Sequence, residues 1–386
     1  MANDKDFIVK NAVEVGGPTK VTLGSITSDV LQEGYSIANA SYDNVSFSVA
    51  SQDSDPYALG FNNDGTKMYV SGNTNDTIYQ YTLSTAFDLS TASYDSVSFS
   101  YTSQDGIATS VIFNNDGTKM YTVGTVNDNV YQYSLSTAFD LSTASYDSVS
   151  FSVASEDTNP YGIVFNSDGT KLYMVGMTND SIYQYSLSTA YDISTASYDS
   201  VSFSVASEDI NPTGGIVFNS DGTKMYMVGV STDNVYQYSL STAYDLSTAS
   251  YDSVSFSVAS EDGSPQQAIF SADGTKMFIL GNNTDTIYQY STASYADQIN
   301  LDTGNYFSDT LAANTTYTIS NAGDVQSFQV EVTGASTYTI TWPSSIEWAG
   351  GVSPSAPASG ETDVFTITTD DGGTSYVGVK TADNLS

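Results

Sequence analysis

The chain contains no cysteine, no histidine and no arginine. Each absence closes a class of chemistry. Without cysteine there is no disulfide framework, no thiol nucleophile and no thiolate metal site. Without histidine the commonest general base and metal ligand near neutral pH is missing. Without arginine there is no bidentate clamp for a carboxylate or phosphate. The nine basic residues are therefore all lysine, and 44 acids leave a net charge of −35. That balance argues against nucleic acid as a partner, because phosphate recognition runs on clustered basic groups. No run reaches the apolar length of a membrane span, and Met1–Lys10 has no apolar signal core. The expectation is a product of a cytoplasm, without a membrane span, exported if at all by a route other than a cleaved signal. The charge suits a saline or divalent-rich medium, where salt shortens the range of self-repulsion.

What the chain has is repetition. Tyr42, Tyr94, Tyr146, Tyr198 and Tyr251 open five near-identical units spaced 52, 52, 52 and 53 residues apart. A period near fifty residues marks a repeat architecture. Each unit reads roughly S-Y-D-x-V-S-F-S, then F-x-x-D-G-T-K-M-Y, then D-x-[IV]-Y-Q-Y. In the first unit the runs 45–50, 57–61, 67–71 and 77–83 are strand-like. Asp64-Gly65-Thr66 between two of them is a hairpin signal, since glycine accepts the positive φ of such a turn. No segment carries a helical period over ten or more residues, so the class is all-β.

Four strands per unit, stacked radially, is the plan of a β-propeller. With strands lettered A to D from the axis outward, the array opens on a D strand and closes on A, B and C strands. The expectation is a five-bladed propeller over residues 42–291, closed by its N-terminal strand. An open solenoid of the same units is the alternative, and it leaves both ends as pairing edges. The F-x-x-D-G-T-K-M-Y and D-x-[IV]-Y-Q-Y runs resemble the surface-layer and lactonase-like propeller repeats. The resemblance implies the fold. The lactonase and lyase members work through histidine, arginine or acidic metal constellations, and with the first two absent a non-enzymatic protein without a catalytic residue is expected.

The copies differ in a pattern. The A–B turns (Asp-Gly-Thr-Lys) and the C–D segments (L-S-T-A-[FY]-D-[LI]-S-T-A) hardly change. The D–A and B–C connections do change, and in a propeller these share one rim. Either exposed loops have drifted, or this rim meets an asymmetric partner. Its candidate binding residues are Asp55, Tyr57, Asn75, Asn127, Asn159, Tyr161, Asn179, Asn211, Thr232, Gln266 and Asn283. Every D–A segment also carries an aspartate: Asp53, Asp105, Asp157, Asp209 and Asp262. These either form an acidic collar able to hold Ca²⁺, a hard ion with oxygen ligands, or each caps its own loop. Two acids set apart as a glycosidase pair are not evident among them.

Two regions lie outside the repeat. In residues 1–41, an N-terminal docking segment by expectation, Phe7-Ile8-Val9 and Val13-Glu14-Val15 suggest a short extended stretch. Met1–Val15 resembles the opening of tail-fibre and other virion proteins of marine tailed bacteriophages. Residues 296–386 read as a second β domain, sandwich-like in expectation, with Trp342-Pro343, Trp348-Ala349-Gly350-Gly351 and Asp363–Thr374. That series resembles the C-terminal domain of marine-phage structural proteins, although Ser375-Tyr376 stands where their aromatic pair is usual. Trp342 and Trp348 either stack on a sugar or fill a core. The resemblance implies a virion appendage, of tail-fibre or head-fibre kind; with the variable rim, the expectation is adhesion through that rim to a host-surface glycan or receptor. It implies other virion proteins as partners and a homo-oligomer, as fibres are commonly trimeric. A passive virion decoration and a secreted bacterial adhesin or propeller enzyme are the alternatives.

Overall fold

Glycine and aspartate set the shape of each hairpin before any packing does. In the computed structural model, which describes residues 26–213, 215–292, 294–311, 315–334 and 338–385, Gly65 sits at φ +71°, in the left-handed region. Asp64 caps that turn, its Oδ1 accepting from the Thr66 N–H at 3.0 Å and the Thr66 hydroxyl at 2.5 Å. A Cβ on Gly65 would stand 2.2 Å from the Phe87 ring, so the residue is fixed by its neighbour as well as by φ. The same turn recurs in every unit, which is why Asp-Gly-Thr-Lys does not vary.

The turns join strands into five four-stranded antiparallel sheets, the blades of a propeller. Blade 1 has strands A Pro56–Phe61, B Lys67–Gly72, C Thr77–Leu83 and D Ala92–Ser100. Blade 5 has A Pro265–Phe270, B Lys276–Gly281 and C Thr286–Ser291, and takes as its D strand Ser41–Ser48 from the other end of the repeat. That strand pairs with register Ser41↔Ser291 to Ser48↔Thr286. The innermost strand of blade 5 neighbours that of blade 1, so the ring is closed. The closure is wider than one strand. Residues 34–40, which the sequence leaves outside the repeat, take the place of the fifth C–D segment. Tyr35 donates its N–H to Gly274 O as Phe87 does to Gly65 O, and Ile37–Asn39 forms the short 3₁₀ turn that Leu89–Thr91 forms in blade 1.

Each D strand carries a bulge, the register breaking in blade 1 between Val97 and Tyr94, with Ser96 at φ +59°. A bulged edge strand is a poor template for a further strand, which protects a ring whose five outer edges face solvent.

The Tyr-Gln-Tyr strand explains the cohesion between blades. Gln80 is buried; its Nε2 donates to Asp95 in its own D strand at 2.8 Å, and its Oε1 accepts the Leu141 N–H of blade 2 at 3.0 Å. Gln132 and Gln184 repeat the bridge to Ile193 and Leu246, and Gln289 of blade 5 makes it to Leu89 of blade 1. The C–D segments are therefore constant because they dock one blade on the next. Leu89, Leu141, Ile193 and Leu246 are buried there.

A second compact unit gathers the strand Ile26–Glu33 and residues 295–386. Its strands form a four-stranded sheet with Ser294–Asn300, Thr315–Ser320 and Ile340–Thr341, and a five-stranded sheet of Tyr306–Thr310, Gln326–Thr333, Thr362–Thr369, Tyr376–Leu385 and Ile346–Trp348. One apolar core draws on both sheets, with Ile299 and Tyr317 from the first and Phe307, Phe328, Phe365 and Ile367 from the second. The proposed extended stretch at Phe7–Val15 lies outside the described residues.

Candidate functional site

The rim formed by the D–A and B–C connections is built on the five repeated aspartates. Each is almost wholly buried. Asp157 accepts the backbone N–H of Asn159 at 2.8 Å, of Thr178 at 3.2 Å and of Asn179 at 2.9 Å, tying the D–A loop to the B–C turn. Asp53, Asp105, Asp209 and Asp262 make the same staple in their own blades. Each carboxylate occupies the space of a missing side chain. A Cβ on Gly72, Gly124, Gly176, Gly229 or Gly281 would come within 2.4 Å of the aspartate's carboxyl carbon. The glycine ending every B strand was the signal of this arrangement. The donor set does not suit calcium, because the carboxylate oxygens face N–H groups, which compete with a cation. The five are not brought together, and among the described residues no group of three acids has metal-binding spacing.

Of the candidate binding residues, three from separate blades do converge. Tyr57, Tyr161 and Gln266 each follow the first residue of an A strand, in blades 1, 3 and 5. Tyr57 and Tyr161 meet edge to face with ring centroids 5.9 Å apart, and the Tyr161 hydroxyl donates to Gln266 Oε1 at 3.4 Å. Contact between non-adjacent blades places this cluster on the axis, at the end of the A strands nearest the D–A loops. Blades 2 and 4 present Thr109 and Thr213 there, so the mouth is asymmetric. Beneath it, Gln267 Oε1 accepts the Leu59 N–H at 2.7 Å and ties blade 5 to blade 1. Burial, and secondarily the Asp55 charge, raises the Tyr57 phenol above its ordinary pKa; burial also raises Tyr161. Both remain neutral hydroxyls at physiological pH.

The other candidates are placed less freely. Asp55 is held by the Asn73 and Asn282 amides, each at 2.8 Å, the latter from blade 5. The side chains of Asn75, Asn127 and Asn179 turn back to the carbonyls of Gln52, Gln104 and Glu156. Thr232 donates to Asp209 at 2.7 Å, and Asn211 to Ser231 Oγ at 2.7 Å. Asn159 reaches only Met177 Sδ, at 3.8 Å. Asn283 is exposed at a turn tip. Sequence reasoning missed the tips equivalent to it, Thr74, Val126, Thr178 and Ser231, which face Ser54, Gly106, Thr158 and Ile210 across the rim. Val126 and Ile210 are 59% and 64% exposed, making this edge partly apolar.

A second set of rim aspartates sits at the B–C turns in the left-handed region. Burial, then the charge of neighbouring aspartates (the staple ones for Asp128, Asp180 and Asp233, and Asp55 ahead of them for Asp285), raises all four above the ordinary carboxylate range. The Oδ1 atoms of Asp128, Asp180 and Asp233 are buried without a hydrogen-bond partner.

In the second unit Trp342 is buried, its Nε1 donating to Pro354 O at 3.2 Å. Trp348 is half-buried, with its ring 5.1 Å from that of Trp342 and 5.8 Å from Phe365. Asp371 of the Asp-Gly-Gly motif accepts from Thr374 N and Ser375 N at 3.0 Å, and these bonds, that of Ser375 foremost, pull its carboxyl down to about 2.

No protein-family model matches the chain, and no curated protein matches it. Solved structures of lactonase-like propellers do. A candidate 6-phosphogluconolactonase of Bacteroides uniformis is 14% identical, over 62% of this chain and 69% of that one, with a TM-score of 0.40. A second, from Bacteroides fragilis, is 13% identical over 61% and 67%, with a TM-score of 0.39. A periplasmic gluconolactonase of Pseudomonas aeruginosa is 14% identical over 61% and 66%, with a TM-score of 0.40. The chain thus spans about two thirds of the length of these proteins. The expectation of a non-enzymatic protein is corrected by them: the fold is shared with proteins named as enzymes, so the fold does not set activity aside. Likeness at this identity shows the fold alone and assigns no reaction.

Proposed function

We propose that the propeller is an adhesive module that holds a glycan of a host cell surface at the axial mouth and the surrounding variable rim. The observation that carries this is the convergence of Tyr57, Tyr161 and Gln266 from three blades. Two half-buried tyrosines offer an aromatic body with a neutral hydroxyl, the combination that packs on a sugar face and hydrogen-bonds its edge, while the buried Gln266 amide, held by Ser264 and Tyr161, fixes the Tyr161 ring from below. The stapled loops hold this cluster on a rigid support. The contrast between a variable and a constant rim supports it less than the sequence suggests, because the constant rim is fixed by blade docking.

The setting we propose is a bacteriophage virion appendage, on the resemblance of the first fifteen residues and of residues 296–386 to virion proteins. Other virion proteins and a homo-oligomer, trimeric as fibres commonly are, belong to that reading. Glycan-array binding of the full chain is expected, with Tyr57→Ala and Tyr161→Ala each weakening it about tenfold or more, the loss of a stacking contact and its hydrogen bond. Unchanged array binding in the folded double variant would refute the site. Labelling that fails to find the protein on particles would refute the setting alone.

A further inference from the structure

The five seams between blades are not equivalent. At four of them a B-strand tyrosine reaches across to the next C–D segment: Tyr69 to Phe139 O at 2.6 Å, Tyr121 to Tyr191 O, Tyr173 to Tyr244 O, and Tyr226 to Tyr35 O at 2.7 Å. At the seam of blades 5 and 1 the residue is Phe278, which has no hydroxyl to give. The same blade replaces the turn asparagine of the others (Asn62, Asn114, Asn166 and Asn219) with Ser271. Asn63 and Asn115, which strap across to the next blade at 2.5 and 2.8 Å, are Ser167 and Ser220 in blades 3 and 4 and Ala272 in blade 5. Two changes found in no other blade, Phe278 and Ser271, thus fall on one seam, with the smallest of the strap-position residues, Ala272, beside them. A cavity of about 710 Å³ opens there, on the rim opposite the axial mouth, lined among others by Phe87, Asp88, Asp273, Thr275, Lys276 and Gln289.

We infer that this seam is a second binding site, one that takes a neutral sugar. The cavity lies in the size range of small-molecule sites. The half-buried Phe87 with Val45 and Ala86 provides apolar lining, and the rest is carboxylate, amide and hydroxyl. Much of that polarity is already used. Gln289 is bonded at both ends, and Lys276 is held by Asp43 at 2.7 Å. Two acceptors are not: Asp88 and Asp273 each spend Oδ1 on their own turns and leave Oδ2 without a partner among the described residues. Adjacent hydroxyls of a pyranose supply the donors that such oxygens take, while its C–H face packs on apolar lining. Three carboxylates against one lysine give the lining net negative charge, which disfavours phosphorylated, sulfated or uronic sugars.

Saturation-transfer NMR and calorimetric titration of the full chain with glucose, galactose, N-acetylglucosamine and their disaccharides test this, with glucuronic acid, spermidine and calcium as comparisons. Binding of at least one neutral sugar is expected. Asp88→Asn with Asp273→Asn should weaken it about tenfold, since each carboxylate acceptor becomes an amide while Oδ1 still caps its turn. Ser271→Asn, which restores the residue of the other blades, should weaken it by filling the cavity. Tyr161→Ala should leave this binding intact, which separates the seam from the axial mouth. The inference is overturned if no neutral sugar binds, if only spermidine or calcium does, or if binding survives the folded double variant.

Discussion

Phe278→Tyr is the sharpest probe of how the ring is closed. Phe278 is wholly buried, and its ring lies 6.2 Å from that of Phe87 at an interplanar angle of 27°. The equivalent pair at the preceding seam, Tyr226 and Tyr35, lies at 6.5 Å and 19°, and there the hydroxyl meets the Tyr35 carbonyl at 2.7 Å. The added oxygen should therefore meet the Phe87 carbonyl. A neutral hydrogen bond of this kind is worth about 0.5–1.5 kcal/mol net. For a domain of this size, about 1 kcal/mol moves Tm by about 2–4 °C. A rise of that order is expected in thermal unfolding followed by near-ultraviolet circular dichroism. If the seam is instead shaped so that the hydroxyl misses the carbonyl, a buried unsatisfied oxygen costs about 1–3 kcal/mol and Tm falls. The sign alone decides. A fall in Tm, or none, in a folded variant would show that the seams differ in backbone geometry and not only in side chains.

Two further outcomes follow from the rim. Asp157→Ala strips three part-buried backbone donors of their buried acceptor at once; urea unfolding should show a loss of about 1–3 kcal/mol, and a loss below about 1 kcal/mol would mean that water replaces the staple. The rim aspartates 128, 180, 233 and 285 have raised pKa values, so the folded state binds their protons more readily than the unfolded chain does. Their contribution therefore grows as pH falls from neutrality toward about 4. The turn aspartates 64, 116, 168 and 221 are lowered, chiefly by the threonine hydroxyl two residues on, and their contribution is lost only below about 4. Tm at low ionic strength should thus peak on the acid side of neutrality; a steady decline from pH 7 to 4 would contradict this sign.

The number of blades and the origin of the closing strand were legible because a repeat cut out of phase leaves one strand at each end that only the other end can pair. The part played by residues 34–40 was harder to see. Gly34-Tyr35-Ser36-Ile37 shares only its aromatic and one aliphatic position with Ala86-Phe87-Asp88-Leu89, yet the aromatic residue's bond to the turn glycine and the bond closing the 3₁₀ turn recur. The axial cluster was half legible. Tyr57, Tyr161 and Gln266 stand out as differences between copies, but a one-dimensional comparison does not say that blades 1, 3 and 5 face one another across an axis. The staple aspartates were visible as a pattern with two readings, and the glycine ending each B strand would have chosen between them, since a carboxylate needs the room that a Cβ would take.

That same logic bears on why one seam should be the odd one. In a ring of repeats four seams join blades that follow each other along the chain, so sequence proximity helps to hold them together. The seam between blades 5 and 1 has no such help and depends on the N-terminal strand to complete blade 5. This seam lacks the tyrosine hydroxyl of the other four and holds together by a different set of bonds: Gln267 accepts the Leu59 N–H, and the Asn282 amide reaches Asp55 and Pro56 O. A cavity opens beside it, lined by Ser271 where the other blades have asparagine. Departures from the repeat gathered at one seam are a pattern that function often imposes, because binding sites are where proteins depart from their own packing rules. Gln289, Asp43 and Lys276 keep the ring shut around the gap, Gln289 reaching Leu89 at 3.0 Å and Asp43 at 2.9 Å. Restoring the consensus residues at 271 and 278 together should then raise stability and lower sugar binding in the same molecule. A gain in stability without any loss of binding would separate the weak seam from the site.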